Sequence, residues 1–128
     1  MWVDGGSRGN PGPAAVGYRI EDEAGELLDE AGETIGVATN NEAEYRALIA
    51  AFDRAADLGA RDVEVRSDSE LLMRQMTGRY KVKSPHLREL WQEAQRAAGR
   101  FERVLYVEVR RTENTEADRQ VNLALDRA

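Results

Sequence analysis

The chain has 128 residues, enough for one domain (residues 1–128) with a buried core, and its net charge of −6 by itself argues against a nucleic-acid partner. It has no cysteine, which excludes disulfides, zinc–thiolate sites and thiol nucleophiles. Its single histidine disfavours metal sites built from several histidines. Any metal would therefore be bound by oxygen ligands, which Mg²⁺ and Mn²⁺ accept. No apolar run is long enough to cross a membrane and no basic-then-apolar leader opens the chain, so we expect a cytoplasmic protein without membrane contact.

The first part of the sequence predicts three strands. Met1–Asp4 is a short apolar stub, with Asp4 at its end, and a loop rich in glycine and proline follows it. Strand-like runs at Ala14–Asp22 and Glu26–Ile35 flank a short acidic turn, as expected of a hairpin. A helix comes next, with its apolar stripe over Ala43–Leu58.

The ends of the predicted helices carry typical capping residues. Asn40 or Asn41 caps the first helix. A later helix has Ser84 as its cap, Pro85 at the first helical position and Gly99 at its end. The remaining predicted elements are a strand at residues 62–68, a short helix at 69–76, a strand at 103–110 and a final helix capped by Asn114 or Thr115. The order β-β-β-α-β-α-α-β-α indicates an α/β fold with one mixed sheet, antiparallel first and parallel later, and helices on its faces.

Charge is distributed unevenly along the chain. Residues 21–33 contain seven acidic residues and no base, whereas residues 74–88 contain five arginines and lysines and no acid. The first stretch would repel phosphate and the second would attract it. Taken alone, both runs are also compatible with ordinary solvated surfaces.

Four acidic residues lie at the ends of predicted elements. Asp4 and Asp68 end strands, and ligands collect at the carboxyl ends of strands in α/β sheets. Glu44 lies four residues before Leu48, on the apolar face of its helix, so its side chain should point towards the sheet. Asp118 borders the apolar stripe of the last helix. Each acid alone could also be a surface charge or a helix N-terminal acid, although the inward direction of Glu44 makes this less suitable for that residue. Brought together, four carboxylates would repel one another unless cations joined them, and a pair of divalent ions supports phosphoryl transfer.

Four sequence blocks now become recognisable. "DGGSRGNPGPAAVGY", "TNNEAEYRAL", "RSDSELL" followed by "YKVKSPHL", and "NTEADRQVN" resemble, in that order, the characteristic blocks of type 1 ribonuclease H, the ribonuclease HI family. The resemblance covers nearly the whole chain and is strongest to the compact archaeal and bacterial branch, which lacks a long basic handle insertion.

The resemblance implies a ribonuclease H-like fold, a five-stranded mixed sheet flanked by helices. It implies an endoribonuclease that cleaves the RNA strand of RNA/DNA hybrids with two metal ions and leaves 3′-hydroxyl and 5′-phosphate ends. The expected cofactor is Mg²⁺, with Mn²⁺ as the alternative. By position, the catalytic metal ligands would be Asp4, Glu44, Asp68 and Asp118.

The same resemblance implies contacts with an RNA/DNA hybrid, with duplex RNA as a second candidate partner, by a monomeric protein. Asn10, Asn40 and Asn41 would contact the minor groove, where the 2′-hydroxyl distinguishes RNA from DNA, and Thr39 would hold a DNA phosphate. The full predicted set of substrate-binding residues is Gly5, Gly6, Ser7, Asn10, Thr39, Asn40, Asn41, Ser69, Arg79, Lys81, Lys83, Arg111 and Asn114.

This sequence departs from many family members in the loop before the last helix. They carry a histidine there, and "VRRTENTEAD" has none, so Arg110 or Arg111 would substitute in part by holding phosphate. His86 is expected at the surface or on the side that faces phosphate. Two other functions stay open: a related nuclease of the resolvase or integrase type, and an inactive module that binds hybrid or duplex RNA.

Overall fold

The computed structural model describes all residues from 1 to 128, and it confirms the predicted order of elements. The chain forms five strands and four α-helices, with one 3₁₀ turn at Arg111–Glu113. The elements are β1 (Trp2–Ser7), β2 (Gly12–Glu21), β3 (Leu27–Ala38), α1 (Asn40–Asp57), β4 (Asp62–Ser67), α2 (Glu70–Met76), α3 (Pro85–Ala98), β5 (Arg103–Glu108) and α4 (Thr115–Arg127). None of the helices has the length and apolar character needed to cross a membrane.

The strands form one mixed sheet in the order β3-β2-β1-β4-β5. β1, β2 and β3 are antiparallel neighbours, whereas β4 runs parallel to β1 and to β5. β1 and β4 share a single register pair, Trp2 with Arg66, although β4 and β5 are paired along their full length. The two central strands therefore separate soon after they meet.

Helices cover both faces of the sheet. On one face, Val3 and Val65 pack against Tyr45, Leu48 and Phe52 of α1 in the main core. On the other face, α4 packs on β1, β2 and β3 through a smaller cluster of Ala15, Val121, Ala124 and Leu125. Successive residues of β1 alternate between these faces, so Val3 belongs to the α1 side and Asp4 to the α4 side.

Several predicted strand ends differ from the structure by one to three residues; β3, for example, ends at Ala38 rather than Ile35. Two wrong boundaries affect the residues near Asp4 and Glu44. β1 does not end at Asp4 but continues to Ser7, because Gly5 to Ser7 keep their antiparallel pairing with β2. The cap of α1 is Thr39 rather than Asn40 or Asn41: its hydroxyl accepts from the backbone N–H of Glu42, and the Glu42 carboxylate accepts from the backbone N–H of Thr39 in return. The caps predicted for α3 are confirmed.

Gly5 allows α1 to lie directly on β1. A Cβ atom at this position would lie 2.2 Å from the carbonyl oxygen of Ala43 and 2.6 Å from the backbone nitrogen of Glu44. Only a residue without a side chain permits this approach. The contact brings the N-terminal part of α1, including Glu44, beside the strand that carries Asp4.

Gly5→Ala should therefore destabilise the fold, by about 1–3 kcal/mol, because the helix must move away from the strand. Gly6→Ala is the matched control, since its nearest neighbours would be Val121 and Asn40 at ordinary contact distances of 3.7 and 3.8 Å. Urea unfolding of both variants measures the difference. Equal stabilities would contradict the role of Gly5 in the α1–β1 contact.

Candidate active site

The structure brings the four predicted acidic residues together. Asp4 lies within β1, and Asp68 directly follows β4. Glu44 is the fifth residue of α1, and Asp118 lies in the first turn of α4. Burial raises the pKa of Asp4 from its ordinary value of 3.8 to about 8, and the charges of Asp68, Asp118 and Glu44 add to the increase. One carboxyl group therefore interacts with the three others.

The Glu44 carboxylate accepts a hydrogen bond from Ser69, the residue that caps α2. Its pKa is raised to about 7, first by burial and then by the charge of Asp68, while a hydrogen bond from Ser69 opposes the increase. The Ser69 hydroxyl donates to Glu44 at 2.7 Å and also accepts from the backbone N–H of Leu72, as the cap of α2. The structure thus places Ser69, a predicted substrate-binding residue, behind Glu44 in a buried position.

Asn114 is buried too, although its prediction as a substrate-binding residue requires an exposed side chain. Only 1% of the residue is exposed, and its Nδ2 donates to Asp68 Oδ1 at 2.9 Å and to the carbonyl of Val3 at 2.8 Å. The side chain lies between β1 and the end of β4. It therefore contacts two segments of the acidic cluster instead of an exposed surface.

A second asparagine, Asn122, was missed in the sequence. Its Nδ2 donates to the backbone carbonyl of Asp118 at 3.1 Å and to the Asp118 carboxylate at 3.3 Å. The four-residue spacing along one helix face is the sequence pattern that could have identified it.

The loop between β1 and β2 is joined to the start of α1 by hydrogen bonds among predicted substrate-binding residues. Asn40 Oδ1 accepts from the backbone N–H of Ser7 at 2.8 Å and from its hydroxyl at 3.2 Å. Asn10 Oδ1 accepts from the backbone N–H of Asn40 at 3.1 Å. Asn10, Asn40 and Asn41 are exposed and lie at this end of the sheet, whereas Gly5 is buried under α1.

The basic residues Arg79, Lys81 and Lys83 are exposed on a segment without regular secondary structure. We call residues 79–83 the basic segment. Two of its backbone carbonyl groups accept hydrogen bonds from side chains. The Arg88 guanidinium donates to Val82 O at 3.0 and 3.3 Å, and buried Gln75 donates to Lys81 O at 3.5 Å. The segment is therefore anchored through its backbone while these side chains face solvent.

The beginning of α3 lies next to the beginning of α1. His86 Nε2 is 3.0 Å from Glu42 Oε2, and the His86 side chain is 71% exposed, in agreement with its prediction as a surface residue. This contact places the end of the basic segment near Thr39, the capping partner of Glu42. The basic segment and the exposed asparagines therefore both lie near the start of α1.

The donor set of the cluster suits hard divalent cations. In this structure no three acidic or histidine side chains are arranged to hold one ion. All four side chains nevertheless offer only carboxylate oxygens, and their mutual repulsion is the kind that bound cations relieve. The chemistry of the donors therefore fits a metal.

Comparison with known proteins places the chain in a family. A family profile described as "Reverse transcriptase-like" matches residues 2–124. Ribonuclease HI of Halobacterium salinarum is 46% identical over 127 residues, which cover 99% of this chain and 64% of that protein. The chain belongs to the type 1 ribonuclease H family.

Other members of the ribonuclease H family agree with this assignment. The crystal structure of RNase H1 from Halobacterium salinarum is similar with a TM-score of 0.96 at 47% identity, covering 98% of this chain and 96% of that one. LC11-RNase H1, whose crystal structure contains an RNA/DNA hybrid, has a TM-score of 0.93 at 44% identity, covering 98% and 94%. A "bifunctional protein" of Mycobacterium tuberculosis is 50% identical over 127 residues, or 98% of this chain. The chain spans 35% of the length of that mycobacterial relative.

The loop between β5 and α4 contains Arg110 and Arg111 and no histidine. Arg110 and Arg111 are both exposed, and Arg111 begins the 3₁₀ turn. The backbone N–H of Arg110 donates to Glu113 at 3.0 Å, which closes that turn just before Asn114.

Asp4→Asn should stabilise the metal-free protein above neutral pH. The pKa of Asp4 is higher in the folded state, so the folded state binds a proton more tightly, and wild-type stability falls as the pH rises from about 4 to about 8. The uncharged amide introduced by Asp4→Asn does not titrate, so the variant should not lose this stability as the pH rises. In EDTA, the variant should melt several degrees above the wild type at pH 8 and near it at pH 4. Glu23→Gln in the exposed β2–β3 turn is the control. If the melting temperatures of Asp4→Asn and wild type changed in parallel with pH, the proposed repulsion between Asp4 and the other carboxylates would be contradicted.

Proposed function

We propose that this protein is an endoribonuclease that hydrolyses the RNA strand of RNA/DNA hybrids and leaves 3′-hydroxyl and 5′-phosphate ends. The observation that carries the proposal is the interaction of Asp4 with three other carboxylates, each from a different segment of a ribonuclease H fold. The names of the Halobacterium relative and of the structural neighbours support it.

Asp4, Glu44, Asp68 and Asp118 would hold two Mg²⁺ ions, with Mn²⁺ as the alternative. When bound, the ions supply the positive charge that activates the attacking water and stabilises the departing 3′-oxygen. Two of these carboxylates are restrained before any ion binds, because Ser69 donates a hydrogen bond to Glu44 and Asn114 donates one to Asp68. No histidine contacts Asp4, and arginine stays protonated, so Arg110 and Arg111 act by holding phosphate.

The substrate would lie across the exposed asparagines. Asn10 and Asn40 are preorganised by their mutual hydrogen bond, and amide and backbone groups can recognise 2′-hydroxyls in a shallow minor groove without reading sequence. LC11-RNase H1 binds an RNA/DNA hybrid in its crystal structure. Duplex RNA is a second candidate substrate. The monomeric state and the cytoplasmic location stay predictions.

Charge placement supports binding to a polyanion despite the net charge of −6. The acidic turn between β2 and β3 lies at the far end of the hairpin from the β1–β2 loop, since the two loops join opposite ends of β2. The basic segment is anchored near the start of α1 instead. Lys81, Lys83 and Arg79 can therefore contact phosphates without interference from the acidic turn.

The wild-type protein should cleave labelled RNA/DNA hybrid in Mg²⁺ and lose all cleavage in EDTA. Asp68→Asn should lower kcat at least about a hundredfold, because it removes a charged ligand. Hybrid, duplex RNA and duplex DNA are compared on denaturing gels, and the ends are identified by ligation and phosphatase treatment. Cleavage of duplex DNA instead would indicate a resolvase-type nuclease. Hybrid binding without cleavage would indicate an inactive binding module.

Replacing Lys81 and Lys83 with alanine should weaken hybrid binding at low salt and reduce the slope of log K against log salt by about 1 per lost phosphate contact. Arg96→Ala, an exposed cation at the other end of α3, is the matched control. Fluorescence anisotropy with Asp68→Asn as the background measures binding without cleavage. An unchanged slope for the double variant would contradict the role of the basic segment.

A further inference from the structure

The two central strands stop pairing close to the acidic cluster. The backbone N–H of Arg66 donates to Met1 O at 2.7 Å, and Trp2 with Arg66 is the only register pair between β1 and β4. In a regular parallel ladder, the next bond in this series would join the N–H of Asp68 to Val3 O. Val3 O accepts from a side chain instead, the amide of Asn114. A side-chain hydrogen bond from Asn114 therefore takes the place of one backbone hydrogen bond at the point where the strands separate.

The Asn114 amide uses both of its N–H groups at this point. One hydrogen bond goes to Val3 O, directly before Asp4, and the other goes to Asp68 Oδ1. The backbone carbonyl of Asn114 also accepts from the N–H of Asp118, at 3.2 Å. One residue is thus bonded to the three segments that carry Asp4, Asp68 and Asp118.

From this arrangement we infer that Asn114 is a positioning residue: it holds Asp68 at a set distance from β1, so that Asp68 and Asp4 can share the metal ions of the proposed function. The amide fixes Oδ1 of Asp68 and leaves Oδ2 for a ligand. Hydrogen-bonding partners behind metal-ligating side chains commonly set both their orientation and the metal affinity.

A helix-capping role or a purely stabilising role for Asn114 fits the structure less well. An asparagine directly before a helix usually caps it, but the Asn114 side chain makes no capping hydrogen bond to α4. Its Oδ1 is buried without a hydrogen-bond partner in the protein, which opposes folding. A side chain present only for stability would avoid that cost, so the two N–H bonds are the reason for an amide here.

The test compares Asn114→Ala with Asn114→Leu, which fills the space but lacks the donors. Mn²⁺ binding to the free protein is measured by titration calorimetry, and KM and kcat for hybrid are measured over a series of Mg²⁺ concentrations. We expect the dissociation constant for Mn²⁺ and the half-saturating Mg²⁺ concentration to rise about tenfold or more. KM for hybrid at saturating metal should change by less than about twofold, because Asn114 is buried away from the substrate.

Gln75→Ala is the matched control, since it also removes a buried amide, one that bonds to Tyr45 and Lys81 rather than to a carboxylate. It should leave Mn²⁺ affinity unchanged. A folded Asn114 variant with wild-type Mn²⁺ affinity would overturn the inference, and so would an equal loss in Gln75→Ala. If neither Asn114 variant gives the circular dichroism spectrum of the wild type, Asn114 serves the fold and the inference is rejected. A wild type that binds no Mn²⁺ and cleaves no hybrid rejects the proposed function as well.

Discussion

The arrangement of the site depends on one constraint, the repulsion among four partly buried carboxylates. Asp4 lies in the middle of a central strand with three other acidic side chains close enough to raise its pKa, which burial and their charges bring to about 8. Such a cluster tends to separate, so the surrounding residues must restrain it. Gly5 holds α1 against β1, Ser69 bonds to Glu44, and Asn114 connects Asp68 to β1. These restraints come from different parts of the chain and converge where β1 and β4 part.

The placement of charge explains how a chain with a net charge of −6 could bind the proposed nucleic-acid substrate. Net charge is a sum over the chain, whereas binding depends on which charges surround the site. The acidic turn between β2 and β3 lies at the opposite end of β2 from the β1–β2 loop. The basic segment is anchored by Gln75 and Arg88 near the start of α1. Cations at the cluster would convert its repulsion into attraction for phosphate.

Much of the fold could be predicted from local patterns. Ser84, Pro85 and Gly99 mark the ends of α3 correctly, because capping depends on neighbours in sequence. The end of β1 was predicted wrongly, since glycines suggest a loop and their pairing with β2 is a long-range interaction. Thr39 was overlooked as a cap because three polar residues in a row, Thr39 to Asn41, offer equal local signals, and the capping box with Glu42 decides between them.

The sequence by itself determined the chemical character of the site: four oxygen-donating acids, no cysteine, one histidine, and an order of strands and helices that brings the acids to one edge of a sheet. Only the tertiary structure decided which polar residues are exposed near the acids and which are buried and bonded to them. Ser69 and Asn114 look like surface residues in the sequence, and both are buried behind carboxylates. The reason is physical, because a hydrogen bond such as that between Asn114 and Val3, 111 positions apart, depends on how the strands separate and leaves no local pattern.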